Sequence, residues 1–382
     1  MKLERLAYSQ YENEPQAWKI VDCSFGDINL IVGKNAIGKT RTLNVIATLA
    51  KLFSGEQKLK RFEGHYQAEF THQGLSISYI LQAKLNDFIC EKLTINDKVR
   101  IDRGSGGKGK IYAEALNGEI DFQTSTEEVA IFARRDTVQH PFLEEFYEWG
   151  RNLLHYNFGT PLGRTTLAAR SEESGKAADI DLKQVEKVVE IFMLGEQEYG
   201  TAFKKAVLRD MAGIGYQLDE ISVELHPNVR VPSNLPINLL GILVKEHDLP
   251  AKTPQLEISQ GMFRALSILI QINYASLSGK PSCILIDDIG EGLDFERSSS
   301  LLKLLIEKAK AASIQLIMAT NDRFIMNNVP LEHWIVLERE GSKSIHHNYR
   351  NSKEIFDQFE LTGLSNFDFF STGYYSQSKN GK

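Results

Sequence analysis

The stretch Ile28-Asn-Leu-Ile-Val-Gly-Lys-Asn-Ala-Ile-Gly-Lys-Thr-Arg41 decides the fold of this 382-residue chain. Its first five residues are mostly apolar, which is typical of a short buried strand. The pattern G-x-x-x-x-G-K-[ST] then runs from Gly33 to Thr40. Apolar residues recur at helical spacing beyond Thr40 until Ser54-Gly55, where glycine predicts the end of the helix. A strand, a glycine-rich loop and a helix in this order form the context that a phosphate-binding P-loop requires.

The residue types of this stretch suit the binding of a nucleoside triphosphate. Backbone N–H groups of the loop can surround the phosphates, and the helix directs its positive end at the same charge. We expect Lys39 to reach the β- and γ-phosphates and the Thr40 hydroxyl to bind Mg²⁺. A glycine-rich turn without a ligand is the alternative, and the flanking strand and helix disfavour it. The residues predicted to bind ATP here are Gly33, Lys34, Asn35, Ala36, Ile37, Gly38, Lys39, Thr40 and Arg41.

The composition is that of an ordinary globular protein, with 42% hydrophobic and 25% charged residues. A formal charge of −6 argues against a general nucleic-acid-coating role, although a local basic patch can still exist. Three cysteines lie far apart without metal-binding spacing, which indicates reduced thiols in the cytoplasm. No signal peptide is recognisable, and no apolar run is long enough to span a membrane.

The pattern along the chain predicts three regions of different character. An ATPase core is expected from 1–55 and 217–382, where short apolar runs alternate with helical periodicity. Residues 56–139 alternate between apolar and polar and predict an antiparallel β lobe. Residues 140–216 predict a short helical arm inserted into the core. The strands expected in the lobe are His65–Thr71, Leu75–Gln82, Lys98–Arg103, Lys110–Ala115 and Glu119–Gln123, and the helices expected in the arm are Phe142–Trp149, Leu182–Met193 and Thr201–Met211.

A second motif, Ile284-Leu-Ile-Asp-Asp288, combines a buried strand with two carboxylates at its end. This pattern is typical of a Walker B strand, because ligands of open α/β sheets bind at the carboxyl ends of the strands. We expect Asp287 to hold Mg²⁺ and Asp288 to orient or deprotonate the attacking water. Two alternatives remain open, namely a simple helix cap and a metal-nuclease cluster of Asp287, Asp288, Glu291 and Asp294.

A third motif, Ser259-Gln260-Gly261, precedes an apolar helix that begins near Phe263. By itself a serine and a glycine before a helix predict only a cap. The motif lies far downstream of Lys39 and one short helix ahead of Asp287, and there it resembles a degenerate ABC signature. Two further segments, Gly292-Leu-Asp294 and Met318-Ala-Thr-Asn321, resemble the D-loop and the switch segment of that family.

On these motifs the sequence resembles the ABC-type P-loop ATPases of the SMC, RecF and OLD group, and in particular the compact AAA-family ATPases of bacterial phage-defence operons. The resemblance covers about 1–55 and 217–370 and includes Val32-Gly-Lys-Asn35 and Leu361-Thr-Gly-Leu-Ser-Asn366. It implies an α/β fold with a mixed sheet flanked by helices. It also implies a homodimer, or a larger homo-oligomer, with ATP and Mg²⁺ sandwiched between the P-loop of one subunit and Ser259–Gly261 of the other.

The resemblance also implies roles for individual residues. Lys39, Asp288 and Asn321 would be the catalytic residues, and Thr40 and Asp287 the metal ligands. Asp288 replaces the usual glutamate and Asn321 the usual histidine, which fits slow turnover. Gln139 is the candidate for the glutamine loop, with an ordinary polar turn as the alternative.

No nuclease or toxin motif is recognisable, so the resemblance implies that a separately encoded effector protein acts in trans. The expected function is that of an ATP-dependent sensor or scaffold in antiviral defence. Alternatives are a RecF-like ATPase that clamps duplex DNA, a transporter's nucleotide-binding subunit, which the degenerate signature disfavours, and a non-hydrolysing subunit that uses ATP as glue.

Overall fold

A computed structural model describes residues 1–60, 62–84, 87–171, 181–227, 229, 237–280 and 282–379. The strands are β1 Lys2–Gln10, β2 Trp18–Ser24, β3 Ile28–Val32, β4 Gly64–His72, β5 Leu75–Lys84, β6 Asp87–Ile95, β7 Lys98–Arg103, β8 Lys108–Ala113, β9 Gly118–Gln123, β10 Leu153–Asn157, β11 Ala168–Ser171, β12 Leu218–Leu225, β13 Ile237–Glu246, β14 Thr253–Pro254, β15 Cys283–Asp287, β16 Gln315–Thr320, β17 Trp334–Glu340 and β18 Lys343–Asn348. The α-helices are α1 Lys39–Ser54, α2 Ala130–Ala133, α3 Glu144–Arg151, α4 Val188–Gly213, α5 Gln260–Ser278, α6 Phe295–Ala311, α7 Arg323–Asn327, α8 Tyr349–Glu360 and α9 Asn366–Ser371.

One large mixed sheet runs through the molecule. Its fourteen strands follow the order β10-β15-β16-β3-β17-β18-β2-β1-β4-β5-β6-β7-β8-β9. The strands from β10 to β17 pair in parallel, and those from β2 to β9 pair antiparallel. A smaller sheet contains β11, β13, β12 and β14. The predicted α/β class, with a large mixed sheet flanked by helices, is confirmed.

The parallel strands are buried on both faces, which explains their continuous apolar sequences. In β3, Leu30 and Val32 belong to the core cluster that contains α5, whereas Ile31 belongs to the cluster that contains α1. In β15, Ile286 belongs to the cluster that contains α5, and Leu285 belongs to the cluster that contains α1. The carboxyl ends of these strands therefore meet at one edge, between two packed helical layers.

The region 140–216 contains strands that were not predicted besides its helices. Residues Leu153–Asn157 form β10, which pairs in parallel with β15 and extends the large sheet. Helix α4 is broken at Gly200, whose φ of 56° and ψ of −135° are not helical. Its two halves correspond to the two later predicted helices, the first of which begins at Val188 rather than at Leu182. Its buried face packs in the same core cluster as α5, because it carries apolar residues such as Phe192 and Phe203. The division of the chain into a core, a lobe and an arm stays a prediction.

The antiparallel strands confirm the predicted meander and add β6, which the prediction missed. Glu91 of β6 is fully buried, and its carboxylate accepts hydrogen bonds from Arg103 (2.9 Å) and Tyr79 (3.1 Å). The backbone N–H groups of Ala130 (2.6 Å) and Ile131 (3.2 Å) also donate to this carboxylate. The charge on Glu91 interrupts the apolar alternation of the strand, and the contacts that satisfy it come from elsewhere in the chain.

Replacement of Arg103 by methionine should lower the free energy of unfolding by about 3–5 kcal/mol. The expected loss is large because Glu91 would stay buried without a counter-charge. The matched control is Arg5→Met, which removes a half-exposed ion pair with Asp22 and should cost less than about 1 kcal/mol. Urea denaturation of both variants measures the difference. Equal losses in the two variants would contradict the interpretation that the buried Glu91 carboxylate needs the Arg103 guanidinium as its counter-charge.

Candidate functional site

The P-loop lies at the carboxyl end of β3 and opens into a cavity of about 490 Å³. Two backbone conformations shape the loop, since Ala36 and Gly38 both adopt positive φ angles, of 59° and 119°. Gly33 packs so closely that a Cβ atom there would lie 2.8 Å from the Ile37 side chain. The cavity is lined by Trp18, Asn35, Ala36, Ile37, Gly38, Lys39, Thr40, Arg41, Asp288, Glu291, Asn321 and Arg339.

Lys39 directs its ammonium group into the loop. Its Nζ donates hydrogen bonds to the carbonyl oxygens of Gly33 (2.9 Å) and Lys34 (3.2 Å). Burial lowers the pKa of Lys39, and the negative charges of Asp288 and Asp287 oppose this shift. Phosphate oxygens are charged acceptors and bind an ammonium more strongly than neutral carbonyls do. The arrangement therefore suits the capture of an anionic phosphate chain.

Asp287 ends β15 and is buried, and its Oδ1 atom has no hydrogen-bond partner among the described residues. An unpartnered buried carboxylate oxygen is costly unless a cation or a donor satisfies it. Thr40, the predicted second metal ligand, is exposed to the P-loop cavity. A hydroxyl and a carboxylate are oxygen donors of the kind that Mg²⁺ prefers, so these residues fit the ion.

Asp288 follows β15 with a left-handed backbone, at φ 52°. Burial raises the pKa of its carboxyl group, Asp287 raises it further, and the charge of Lys39 opposes the shift. The described residues contain no group of three or more histidine, cysteine, aspartate or glutamate side chains placed to hold a metal ion. The four-carboxylate nuclease cluster considered from sequence is therefore wrong, and Asp294 instead caps α6 by accepting a bond from the Arg297 N–H (2.9 Å).

Asn321 brings the switch segment onto the P-loop. It follows β16, and its Nδ2 donates a hydrogen bond of 2.8 Å to the Oδ1 of Asn35. The parallel pairing of β16 with both β3 and β15 places this residue between the P-loop and the Walker B strand. The structure thus brings together Lys39, Asp288 and Asn321, the three residues that were predicted to be catalytic.

Glu291 also lines the P-loop cavity, and the sequence pointed to it only as a member of the alternative nuclease cluster. Its backbone N–H donates to the carbonyl of Asp288 (3.2 Å), which closes a tight turn after β15. At Gly159 an added Cβ would lie 2.8 Å from the Glu291 Oε2 and 3.6 Å from the Asp288 Oδ2. Two carboxylates therefore converge on this glycine beside the P-loop.

The loop after β10 approaches the site where a glutamine loop was expected. Asn157 ends β10 and pairs in register with Asp287, and the N–H of Phe158 donates to the Asp287 carbonyl (2.9 Å). Gln139 lies elsewhere, because its carbonyl accepts a bond from Glu114 beside β8 (2.9 Å). It does not line the P-loop cavity. Asn157, rather than Gln139, occupies the strand end next to Walker B, and only the unrecognised β10 could have revealed this.

The signature segment Ser259–Gly261 lies outside the P-loop cavity of its own chain. Ser259 caps α5 by accepting a hydrogen bond of 3.4 Å from the N–H of Met262. The side chains of Ser259 and Gln260 are exposed. Gly261 packs against the D-loop, where a Cβ atom would lie 2.4 Å from the carbonyl oxygen of Gly292.

Arg264 joins the helix α5 to loops near the P-loop cavity, and the sequence analysis missed this residue. It is buried, and its guanidinium donates to the carbonyls of Glu291 (3.0 Å), Thr160 (2.9 Å) and Gly159. The sequence did contain a clue to this role. A lone arginine stands within the apolar helix after Ser259, and a buried arginine is rare unless it is paired.

Substitution of Gly261 by alanine should destabilise the contact between α5 and the D-loop. The new methyl group would meet the Gly292 carbonyl, a backbone atom that cannot rotate away, so we expect a loss of about 1–3 kcal/mol. The matched control is Gly213→Ala at the end of α4, where no atom lies within 4 Å of the added Cβ. Urea denaturation should show an unchanged or slightly higher stability for that control. An unaffected Gly261→Ala variant would contradict the tight contact.

No protein-family model and no curated protein matches the sequence. Similar solved structures include an SMC head bound to the C-winged helix domain of ScpA, with 12% identity, a TM-score of 0.52, and coverage of 91% of this chain and 97% of that chain. The SMC head domain from Thermotoga maritima shows 13% identity, a TM-score of 0.44 and coverage of 91% and 98%. An SMC head with an extended coiled coil, bound to a ScpA domain derived from Pyrococcus furiosus, shows 12% identity, a TM-score of 0.48 and coverage of 94% and 99%.

The first of these similarities extends over most of both chains and establishes the fold. This chain has the fold of an SMC head domain, which is an ABC-type P-loop ATPase fold. In the described parts of the chain, no helix is both long and apolar enough to cross a membrane.

Proposed function

We propose that this protein binds and hydrolyses ATP and closes as a homodimer around two ATP molecules. The observation that carries the proposal is the hydrogen bond between Asn321 and Asn35, which joins the switch segment to the P-loop within the fold of an SMC head. Lys39 and Asp288 lie in the same cavity. A P-loop, a Walker B carboxylate and a switch residue are the parts that phosphoryl transfer to water requires.

The binding step uses the loop and its lysine. The phosphates would lie against the backbone N–H groups of residues 34–39, and Lys39 would exchange its contacts to Gly33 and Lys34 for phosphate oxygens. Thr40 and Asp287 would hold Mg²⁺, which neutralises the charge that develops on the phosphates. Arg41, which stacks on Trp18 at 4.3 Å, and Arg339 line the cavity and would add positive charge beyond the helix terminus.

The hydrolytic step would use two carboxylates rather than one. Asp288 is one methylene shorter than glutamate, and its backbone is left-handed, with φ 52°. Glu291 lines the same cavity and converges with Asp288 on Gly159. We therefore propose that Asp288 and Glu291 together position the attacking water, and that Asn321 donates a hydrogen bond to the γ-phosphate. The lack of a histidine at the switch position fits slow turnover.

The dimer would complete each site with the signature segment of a second chain. Ser259 and Gln260 are exposed at the start of α5, where helix N–H groups attract phosphate. Beside the D-loop, Phe295 and Phe324 form an aromatic pair with a centroid distance of 5.0 Å, and both are exposed. Exposed aromatic residues are enriched at protein interfaces, so this pair suits a surface that becomes buried when two copies meet.

The effector activity would come from a separate protein. One similar structure is an SMC head bound to a domain of ScpA, which supports the use of such a head as a platform for a partner. Together with the resemblance to phage-defence ATPases, this favours a role as an ATP-gated sensor or scaffold in antiviral defence.

The proposal is tested by phosphate release and molecular mass in solution, measured with and without ATP and Mg²⁺. We expect the wild type to release phosphate and to dimerise, or assemble further, only with ATP. Failure to bind ATP would overturn the proposal. Tight ATP binding and assembly without phosphate release would instead identify a structural nucleotide.

A further inference from the structure

A second cavity, of about 330 Å³, lies between α1 and β10 at the edge of the large sheet. On one side Ala47, Ala50 and Lys51 share a face of α1, and the two small side chains leave space. On the other side His155 and Asn157 point from alternate positions of β10. A volume of this size lies within the range of small-molecule sites. The proposed ATPase cycle assigns this cavity no role.

His155 presents an unsatisfied polar atom in this cavity. Its Nε2 is buried and has no hydrogen-bond partner among the described residues. Burial, and secondarily the charge of Lys51, lowers the pKa of His155 to about 4, so the imidazole is neutral at pH 7. A neutral imidazole nitrogen can accept or donate a hydrogen bond depending on its tautomer. A polar ligand would satisfy this atom.

Two lysines, Lys51 and Lys183, and one carboxylate residue, Glu186, lie around the cavity. The Lys51 ammonium forms no ion pair within the described ranges, whereas Lys183 contacts Glu56 and donates to the Gly150 carbonyl (2.7 Å). The hydroxyl groups of Thr165 and Thr166 add further donors, whereas the Thr160 hydroxyl already donates to the Asn157 carbonyl (2.7 Å). Ammonium and hydroxyl donors around a neutral imidazole suit a phosphate group, and the remaining volume has room for a sugar.

One wall of the cavity, the segment 158–166, is fixed to the protein by buried side chains. Gln255 is fully buried, and its Nε2 donates to the carbonyls of Gly163 (3.0 Å), Arg164 (3.1 Å) and Thr166 (2.8 Å). Gly163 adopts φ 87° and packs so that a Cβ atom would lie 2.3 Å from the Glu186 carbonyl. Any displacement of this wall would therefore be passed to the residues that contact it.

The same wall contacts both halves of the proposed ATP site. Arg164 donates to the carbonyl of Ile258 (2.8 Å), immediately before the signature serine. Arg264 of the signature helix binds the carbonyls of Gly159 and Thr160, and the Phe158 N–H binds the Asp287 carbonyl. A shift of 158–166 would therefore displace Asp287, beside the P-loop, together with Ile258 and Arg264, beside the signature serine.

We propose that the cavity between α1 and β10 binds a small phosphate monoester, such as a sugar phosphate, and that its occupancy regulates the ATPase through the segment 158–166. The binding part of this inference is independent of the proposed function. The regulatory part rests on it, because only an ATPase can show the effect on turnover.

Binding is tested by calorimetric titration of ribose 5-phosphate into the full chain, saturated beforehand with ADP and Mg²⁺ so that the P-loop is filled. The variants are Lys51→Met and His155→Leu, and the matched control is Lys303→Met on the exposed face of α6. We expect one site per chain in the wild type and the control, and an affinity at least about 10-fold weaker in Lys51→Met. Lys51 lies on the surface of α1, so this variant should fold even if His155→Leu does not.

Two results would overturn the binding part. One is the absence of binding by the wild type up to about 10 mM ribose 5-phosphate, and the other is equal affinity in the wild type and Lys51→Met. If ADP itself fails to bind, the proposed function fails, but the Lys51 comparison still reports on this cavity.

Regulation is tested by phosphate release with and without saturating ribose 5-phosphate. We expect a change of about 5-fold or more in the wild type and the Lys303→Met control, and none in Lys51→Met. Binding without any change in turnover of an active wild type would overturn the regulatory part alone.

Discussion

Replacement of Lys39 by alanine is expected to weaken nucleotide binding strongly while leaving the fold intact. The ammonium contacts only carbonyls of its own loop, so its loss removes no partner from the core. ATP would lose charge-assisted contacts to two phosphates, and we expect its affinity to fall by about 100-fold or more. Titration with a fluorescent ATP analogue measures this loss, and thermal denaturation reports on the fold.

The control for this variant is Lys303→Ala, which removes an equal charge from the exposed face of α6. Its nucleotide affinity should match that of the wild type. If Lys39→Ala bound ATP as tightly as this control does, the P-loop would not be the nucleotide site. A Lys39→Ala variant that failed to fold would instead show that the lysine has a structural role.

The substitutions Asp288→Asn and Glu291→Gln should each slow phosphate release without weakening ATP binding. Positioned bases of this kind contribute about 10²–10⁴-fold in rate. Because the two carboxylates converge on Gly159, we expect the double variant to be little slower than the slower single variant. Single-turnover phosphate release at saturating ATP measures the chemical step, and Glu307→Gln, on the exposed face of α6, is the matched control.

The outcomes of this series distinguish the roles of the two carboxylates. Full activity of Glu291→Gln beside an inactive Asp288→Asn would assign the chemistry to Asp288 alone. The reverse result would assign it to Glu291 and would leave Asp288 a structural role. Full activity in both variants would contradict the proposed hydrolytic site.

The raised pKa of Asp288 also predicts a pH dependence. Because this carboxyl binds its proton more tightly in the folded state, its favourable contribution to stability exists below the unfolded pKa and is lost as pH rises through the folded pKa. Asp288→Asn should therefore stabilise the protein at neutral pH and gain progressively less as the solution is acidified. Urea denaturation at several pH values measures this trend. Equal effects at all pH values would contradict it.

The parts of the site that the sequence predicted are those contained in short contiguous stretches. The segment Ile28–Arg41 specifies its own strand, loop and helix, and the structure forms β3 and α1 there. The carboxylates of Asp287 and Asp288 follow a fully apolar strand, so their position at the sheet edge required only the rule for parallel strands.

The parts that were missed depend on distant contacts. β10 contains only five residues, and His155 and Asn157 alternate with its apolar positions, so the pattern offered little to distinguish a strand. β6 was hidden by the charge of Glu91, which Arg103 satisfies across the sheet. The place of Glu291 depends on the turn after β15, where Asp288, Gly290 and Gly292 all adopt positive φ angles. The periodicity of apolar residues does not reveal such backbone angles in a turn.

The continuity of the fourteen-stranded sheet has a mechanical consequence. Neighbouring strands lie about 4.8 Å apart, so the path across the sheet from β10 to β9 is about 60 Å long. The P-loop cavity lies near the β10 end, and the edge strand β9 lies at the other end. If the sheet turns as one body when two chains meet as proposed, a rotation of about 10° at the P-loop end would displace the far edge by about 10 Å. The antiparallel strands would then act as a lever that converts a small closure into a movement large enough for another protein to detect.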